Sequence, residues 1–87
     1  MEGTLNETLR LLMTRTNQRQ SDIAEVIGIT RASLSQRLLG NSHWKLNDLP
    51  KVASHFGLTV AELLSGYAAL AQAKRLPPGR SPGQTRI

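Results

Sequence analysis

QSDIAEVIGITRASLSQRLLG, residues 20–40, is the stretch on which the fold turns. Ile23, Ala24 and Ile27 recur at helical spacing in its first part. Leu34 and Leu38, one turn apart, make a second apolar stripe. Gly28 stands between them, a residue type that commonly takes the positive φ at which a helix stops. Thr30 follows as a cap for the second of these helices. Advancing that helix 100° per residue sets Ala32, Ser33 and Gln36 opposite the leucines, with Arg31 and Arg37 on the flanks. No Asp or Glu lies within residues 28–40, so neither arginine has a helix partner three or four positions away. Small residues, a glutamine and unpaired arginines make an odd solvated face. They suit contact with an anion.

The chain around this stretch has 87 residues, one domain near the lower limit for a core without staples. It has no cysteine, so disulfides cannot help it and a reducing cytoplasm is the expected setting. Phe56, Tyr67 and Trp44 are its aromatics, which leaves the core to Leu, Ile, Val and Ala and favours helices over sheet. No run approaches the roughly 20 apolar residues of a membrane span. No basic region precedes an apolar one at the N-terminus, so no signal peptide is expected. The net charge of +5, from 11 basic and 6 acidic residues, suits nucleic acid or an anionic membrane surface. Every acidic residue lies at or before Glu62.

Along the chain, Thr4 and Glu7 read as a capping box opening a first helix, with Leu5, Leu9, Leu12 and Met13 inward. TRTNQR, residues 14–19, reads as a polar break before the second helix. Gly40 closes the third helix, and NSHWK forms an exposed connection. The fourth helix carries Leu49, Val52, Ala53 and Phe56 inward. Its start is set near Asn47, because Pro50 then falls at its third position, where no intrahelical bond is lost. Gly57 ends it. Thr59 and Glu62 form a second capping box for a fifth helix, predicted to run to about Arg75. From Leu76 on, LPPGRSPGQTRI is rich in Pro, Gly and Arg and reads as a disordered basic tail over 76–87. Truncation after Arg75 is therefore expected to leave the fold intact.

The resulting all-α, compact five-helix domain over residues 1–75 joins its second and third helices around a glycine, a helix-turn-helix over about 20–39. The pattern runs from Q-x-x-I-A-E-x-I-G-I-T through S-L-S-Q-R-L-L-G to L-x-x-V-A-x-x-F-G-L-T-V-A-E-L-L. Over residues 5–66 it resembles the Cro/C1-type, lambda-repressor-like helix-turn-helix family. Two positions depart from that family: Arg37 stands where it usually has an apolar residue, and Lys45 where Ser or Thr is common. Arg37 is expected to lay its methylenes along the core and put its guanidinium out.

By that resemblance Arg31, Ala32, Ser33 and Gln36 fall on the base-facing positions. The chemistry agrees. Arginine bonds guanine O6 and N7 in bidentate fashion, glutamine does the same for adenine, and small residues allow close approach. The family's glutamine at Gln20 typically bonds a phosphate, and helix N-termini favour anions in their own right. Arg15, Arg19, Thr30, Ser35, Arg37, Asn41, Ser42, His43 and Lys45 are further phosphate candidates. Trp44 reads as core roofing the loop against the fourth helix, rather than a stacking platform for a base.

Catalysis is not expected. His43 and His55 lack a Cys or carboxylate array at metal-ligand spacing, no Gly-rich phosphate loop occurs, and Ser33, Ser35 and His55 form no recognisable triad. No metal, cofactor or small-molecule ligand is expected. The resemblance implies a bacterial or phage regulator that binds a double-stranded DNA operator in the cytoplasm. It would act as a Cro-like short repressor by occupancy, with a homodimer through the fifth helix. A rival is a protein-interaction module of the same fold, an antitoxin or antirepressor using VAELLSGYAALA, residues 60–71. A weaker rival is nonspecific coating of nucleic acid, salt-dependent but indifferent to sequence.

Overall fold

Leu5, Leu9, Leu12 and Met13 do share one buried face of the first helix, α1 (Glu2–Thr16). The computed structural model describes residues 2–79, and the regular secondary structure among them is all helical. After α1 come α2 (Gln20–Ile27), α3 (Arg31–Leu38), α4 (Asp48–His55), α5 (Val60–Ser65) and α6 (Tyr67–Gln72). Ile23, Ala24, Ile27, Leu34, Leu38, Leu49, Val52, Ala53 and Phe56 join the α1 residues in one core, completed by Leu58, Leu63 and Leu70. α2 packs most extensively on α3 and then on α4, while α1 lies across α3, α5 and α6.

Helix α1 departs from its predicted limits at both ends. It begins at Glu2, so Thr4 lies inside the first turn, exposed, and is not its cap. It also runs through Thr16, absorbing half of the predicted polar break. Two threonines there are helical and bond back one turn, Thr14 to the Arg10 carbonyl at 3.0 Å and Thr16 to the Leu12 carbonyl at 2.8 Å. Asn17 then takes φ 55° and ends the helix, a left-handed conformation that asparagine tolerates. The Gln18 N–H donates to the Met13 carbonyl at 2.9 Å and satisfies one of the last turn's acceptors.

The predicted fifth helix is two helices. Gly66, buried at φ 103° and ψ 156°, separates α5 from α6, and only glycine takes that conformation cheaply. Its carbonyl starts α6 by accepting the Leu70 N–H at 3.1 Å. Thr59 and Glu62 form the expected capping box on α5, with the Glu62 N–H 3.1 Å from Thr59 Oγ1 and the Thr59 N–H 2.9 Å from Glu62 Oε1. Beyond α6 the chain doubles back, so that Arg75 Nε reaches Glu62 Oε2 at 2.7 Å. Its Nη2 meets the Gly57 carbonyl at 3.0 Å.

That ion pair has a measurable signature. The Arg75 guanidinium, then the Thr59 N–H, hold the Glu62 carboxyl down at about 2 instead of 4.5. A carboxyl whose folded value is depressed stabilises the fold above its unfolded value and loses that contribution as the pH falls from about 4.5 to about 2. Arg75→Met is expected to return the Glu62 midpoint toward 4.5. The acid limb of its stability curve should flatten correspondingly. Carboxyl chemical shifts followed against pH check this, and a midpoint left near 2 would refute the pairing.

Residues 76–79 make two contacts with the helices. Leu76 packs against the core, and the Pro77 carbonyl accepts from Arg15 Nε at 2.5 Å. Truncation after Arg75 would remove both contacts. The remainder of the predicted tail, with Arg80 and Arg86, lies outside the described residues.

Candidate nucleic-acid interface

Ala24 is 3% exposed on α2, which makes with α3 the most extensively packed helix pair of the fold. Its carbonyl accepts both the Gly28 N–H at 2.8 Å and the Ile29 N–H at 3.0 Å, which closes α2. Gly28 holds φ 87° and ψ 31° at this turn, and half-buried Ile29 plugs the core beneath it. Ala24→Val should therefore overpack the crossing and cost about 1–3 kcal/mol. In a domain of this size each kcal/mol is roughly 4–8 °C of melting temperature, so a thermal scan reads it directly. An unchanged melting curve would place the crossing elsewhere.

At the start of α3, Thr30 Oγ1 accepts the Ser33 N–H at 3.1 Å, a helix cap. This occupies the acceptor side of a hydroxyl expected to face phosphate. Arg31, Ala32, Ser33 and Gln36 are all exposed, and Ser35 is half-buried beside them. The ion pairs among the described residues are Arg37–Asp48, His43–Glu2 and Arg75–Glu62, and Arg31 and Arg19 take part in none. Gln36 Oε1 accepts from Asn41 Nδ2 at 3.0 Å, and the Gln36 carbonyl takes the Asn41 N–H at 2.9 Å. The glutamine is thus held by the loop that follows it. Leu39, 61% exposed, continues the same face at the spacing 32, 36, 39. Helical spacing carried that signal, although Leu39 was not among the residues expected to face outward there.

At the start of α2, the Arg19 N–H donates to Asp22 Oδ2 at 2.9 Å and the Arg19 side chain is exposed. Gln20 is half-buried and lines an open concavity of about 420 Å³ with Arg10, Met13, Thr14, Asn17 and Gln18. Arg10 is a residue that sequence reasoning passed over. One Nη2 donates to the Leu38 carbonyl at 2.8 Å, tying α1 to the end of α3, which no local pattern could signal. Arg15 is half-buried and engaged with Pro77. Ser42, His43 and Lys45 are exposed on the α3–α4 loop, with His43 Nδ1 3.0 Å from Glu2 Oε2.

Arg37, expected to put its guanidinium out toward phosphate, turns it inward. It is 5% exposed, its guanidinium is bonded to the buried carboxylate of Asp48, and its Cζ lies 5.6 Å from the centroid of Trp44. The side chain turns inward because Asp48 supplies the charge that water or phosphate would otherwise provide. Trp44 is half-buried as expected, but its Nε1 donates to Asn6 Oδ1 at 2.6 Å and so fastens the loop to α1. Helix α4 starts one residue after Asn47, with Pro50 in its first turn, although the Asn47 side chain makes no cap bond. His55 sits in the last turn of α4, 2.6 Å from Gln18 Oε1 through its Nε2.

Two packed helices around a left-handed glycine, the second with an exposed face free of acid, have the form of a small helical helix-turn-helix DNA-binding domain. The model of the BetR domain, a family of such domains, matches residues 3–85. The chain belongs to the BetR domain family. No curated protein and no solved structure matches it. Among the described residues no helix is long and apolar enough to cross a membrane.

Proposed function

We propose that the protein is a sequence-specific regulator of transcription that binds a double-stranded DNA operator through α3, a short repressor of Cro type in a bacterium or its phage. The observation that carries this reading is the exposed, acid-free face of Arg31, Ala32, Ser33 and Gln36 on a helix braced by α2. Entered N-terminal end first, a major groove would meet Arg31 and Ser33 before Gln36. Exposed Arg19, Asn41, Ser42 and Lys45, with half-buried Gln20, flank that face as phosphate contacts. Repression would follow from occupancy, the bound protein excluding polymerase from an overlapping promoter in the cytoplasm.

Selection of bound sites from random duplex DNA tests the reading. Enrichment of one short motif supports it, and a palindromic motif would also report two subunits and their half-site spacing. Equal recovery of all sequences would leave only nonspecific coating, whose affinity falls steeply with salt.

A second reading has its own observation. Leu11, 39% exposed, borders a groove with Thr4, Glu7, Tyr67, Ala68 and Ala69 along α1 and α6. A homodimer or a protein partner, as in an antitoxin or antirepressor, would use that surface. Its binding would survive replacement of Arg31 and Gln36, which separates it from the DNA reading.

A further inference from the structure

Three of the buried polar residues, Asn6, Arg37 and Asp48, join Trp44 in one network that spans α1, α3, the following loop and α4. The network brackets residues 39–47, a segment with no regular helix and with Gly40, Asn41 and Ser42 at its start. Arg37 and Asp48 close that segment across its two ends. Trp44 fastens its middle, ring against the Arg37 guanidinium and Nε1 on Asn6. Helices α3 and α4 do not otherwise pack extensively on one another; α3 leans on α2 and α1, and α4 on α2 and α5.

We propose that Arg37 and Asp48 are positioning residues for DNA recognition. They staple the α3–α4 loop so that Gln36 on the helix and Asn41, Ser42 and Lys45 on the loop meet one duplex in one register. The inference rests on the DNA-binding reading above. Stability alone does not explain the pair, because apolar residues of similar volume usually fill such a site as well or better. Apolar contact is non-directional, however, and would let the loop settle in several ways. A planar guanidinium bonded to a carboxylate and lying over an indole ring accepts few orientations. The two charges cancel, so the pair adds nothing to the long-range attraction of DNA. Its contribution is geometric. No buried side-chain polar atom of the described residues lacks a partner, so the network is complete as it stands.

The test replaces both charges together, Arg37→Met with Asp48→Leu, and compares the variant with the wild-type chain in two measurements. One is affinity for the selected duplex against a random duplex of equal length. The other is amide hydrogen exchange over residues 39–47. The folded double variant should bind random duplex as the wild type does, yet lose about tenfold or more of its preference, the size of one mismatched base pair. Exchange in the loop should accelerate by a similar factor while the α2 amides stay protected. Preference retained, or loop exchange unchanged, overturns the proposal. Should the double variant not fold, Arg37→Lys, which keeps the charge facing Asp48 but not the planar fork, decides by the same two readouts. If the wild-type chain prefers no duplex, the DNA reading falls, and loop exchange alone decides the stapling.

Discussion

Arg37→Met alone is expected to lower the free energy of unfolding by about 3–5 kcal/mol, the cost of leaving one partner of a buried ion pair uncompensated. Asp48 is 6% exposed, and among the described residues Arg37 is the one cation paired with it. Trp44 would lose the cation over its ring in the same step. Against a total of roughly 5–15 kcal/mol for a small domain, that loss would leave the variant largely unfolded on mild heating. Urea denaturation followed by Trp44 fluorescence reads it as a drop in midpoint at nearly constant slope. Asp48→Leu should behave alike, stranding the guanidinium instead. The two losses should not add, since each removes the same interaction. A change below about 1 kcal/mol in either variant would mean that the pair is solvated in solution, as exposed pairs are.

On the DNA side, Arg31→Ala and Gln36→Ala should each remove about 1–3 kcal/mol of specific affinity and relax the preference at a different base pair. Arg31 stands on the first turn of α3 and takes part in no ion pair among the described residues, and Asn41 uses one lone pair of Gln36 Oε1, which leaves the other and the Nε2 hydrogens for a base. Fold is not at stake, because both are exposed and neither takes part in the core. Titration of the selected duplex and of single-base variants separates the outcomes. A uniform loss over all sequences would move Arg31 to the phosphate contacts and reduce the salt slope by about one. Binding unaltered in both variants would remove α3 from the interface.

Much of the architecture was legible because it rests on interactions within a turn or two. The stripe of Ile23, Ala24 and Ile27, the left-handed Gly28, the Thr30 cap and the first-turn placement of Pro50 are each local matters of spacing and backbone sterics. The exposed face of α3 follows from the same periodicity, once Leu34 and Leu38 are inward. The break at Gly66 was not legible. Leu63 and Leu70 stand seven residues apart, so the helical pattern passes straight through the glycine. The α1 start misled for a related reason: Thr4 and Glu7 carry the signature of a cap, yet the helix already includes them. Capping chemistry marks where a helix can begin, and an upstream turn can override it.

By itself, then, the order of residues determined an all-helical domain, its helix-turn-helix and the polar face that α3 presents. Arg37 lay beyond that reach. Its position in α3 says that it lies near the core edge, and a guanidinium there can turn either to phosphate or inward. The tertiary structure decided, by bringing Asp48 from eleven residues further along to the Arg37 side of Trp44. The same holds for Arg75, drawn back to Glu62, and for Arg15, drawn to Pro77. Periodicity is set by neighbours within four positions, whereas the direction of a long charged side chain is set by whichever counter-charge or carbonyl the folded chain delivers to it.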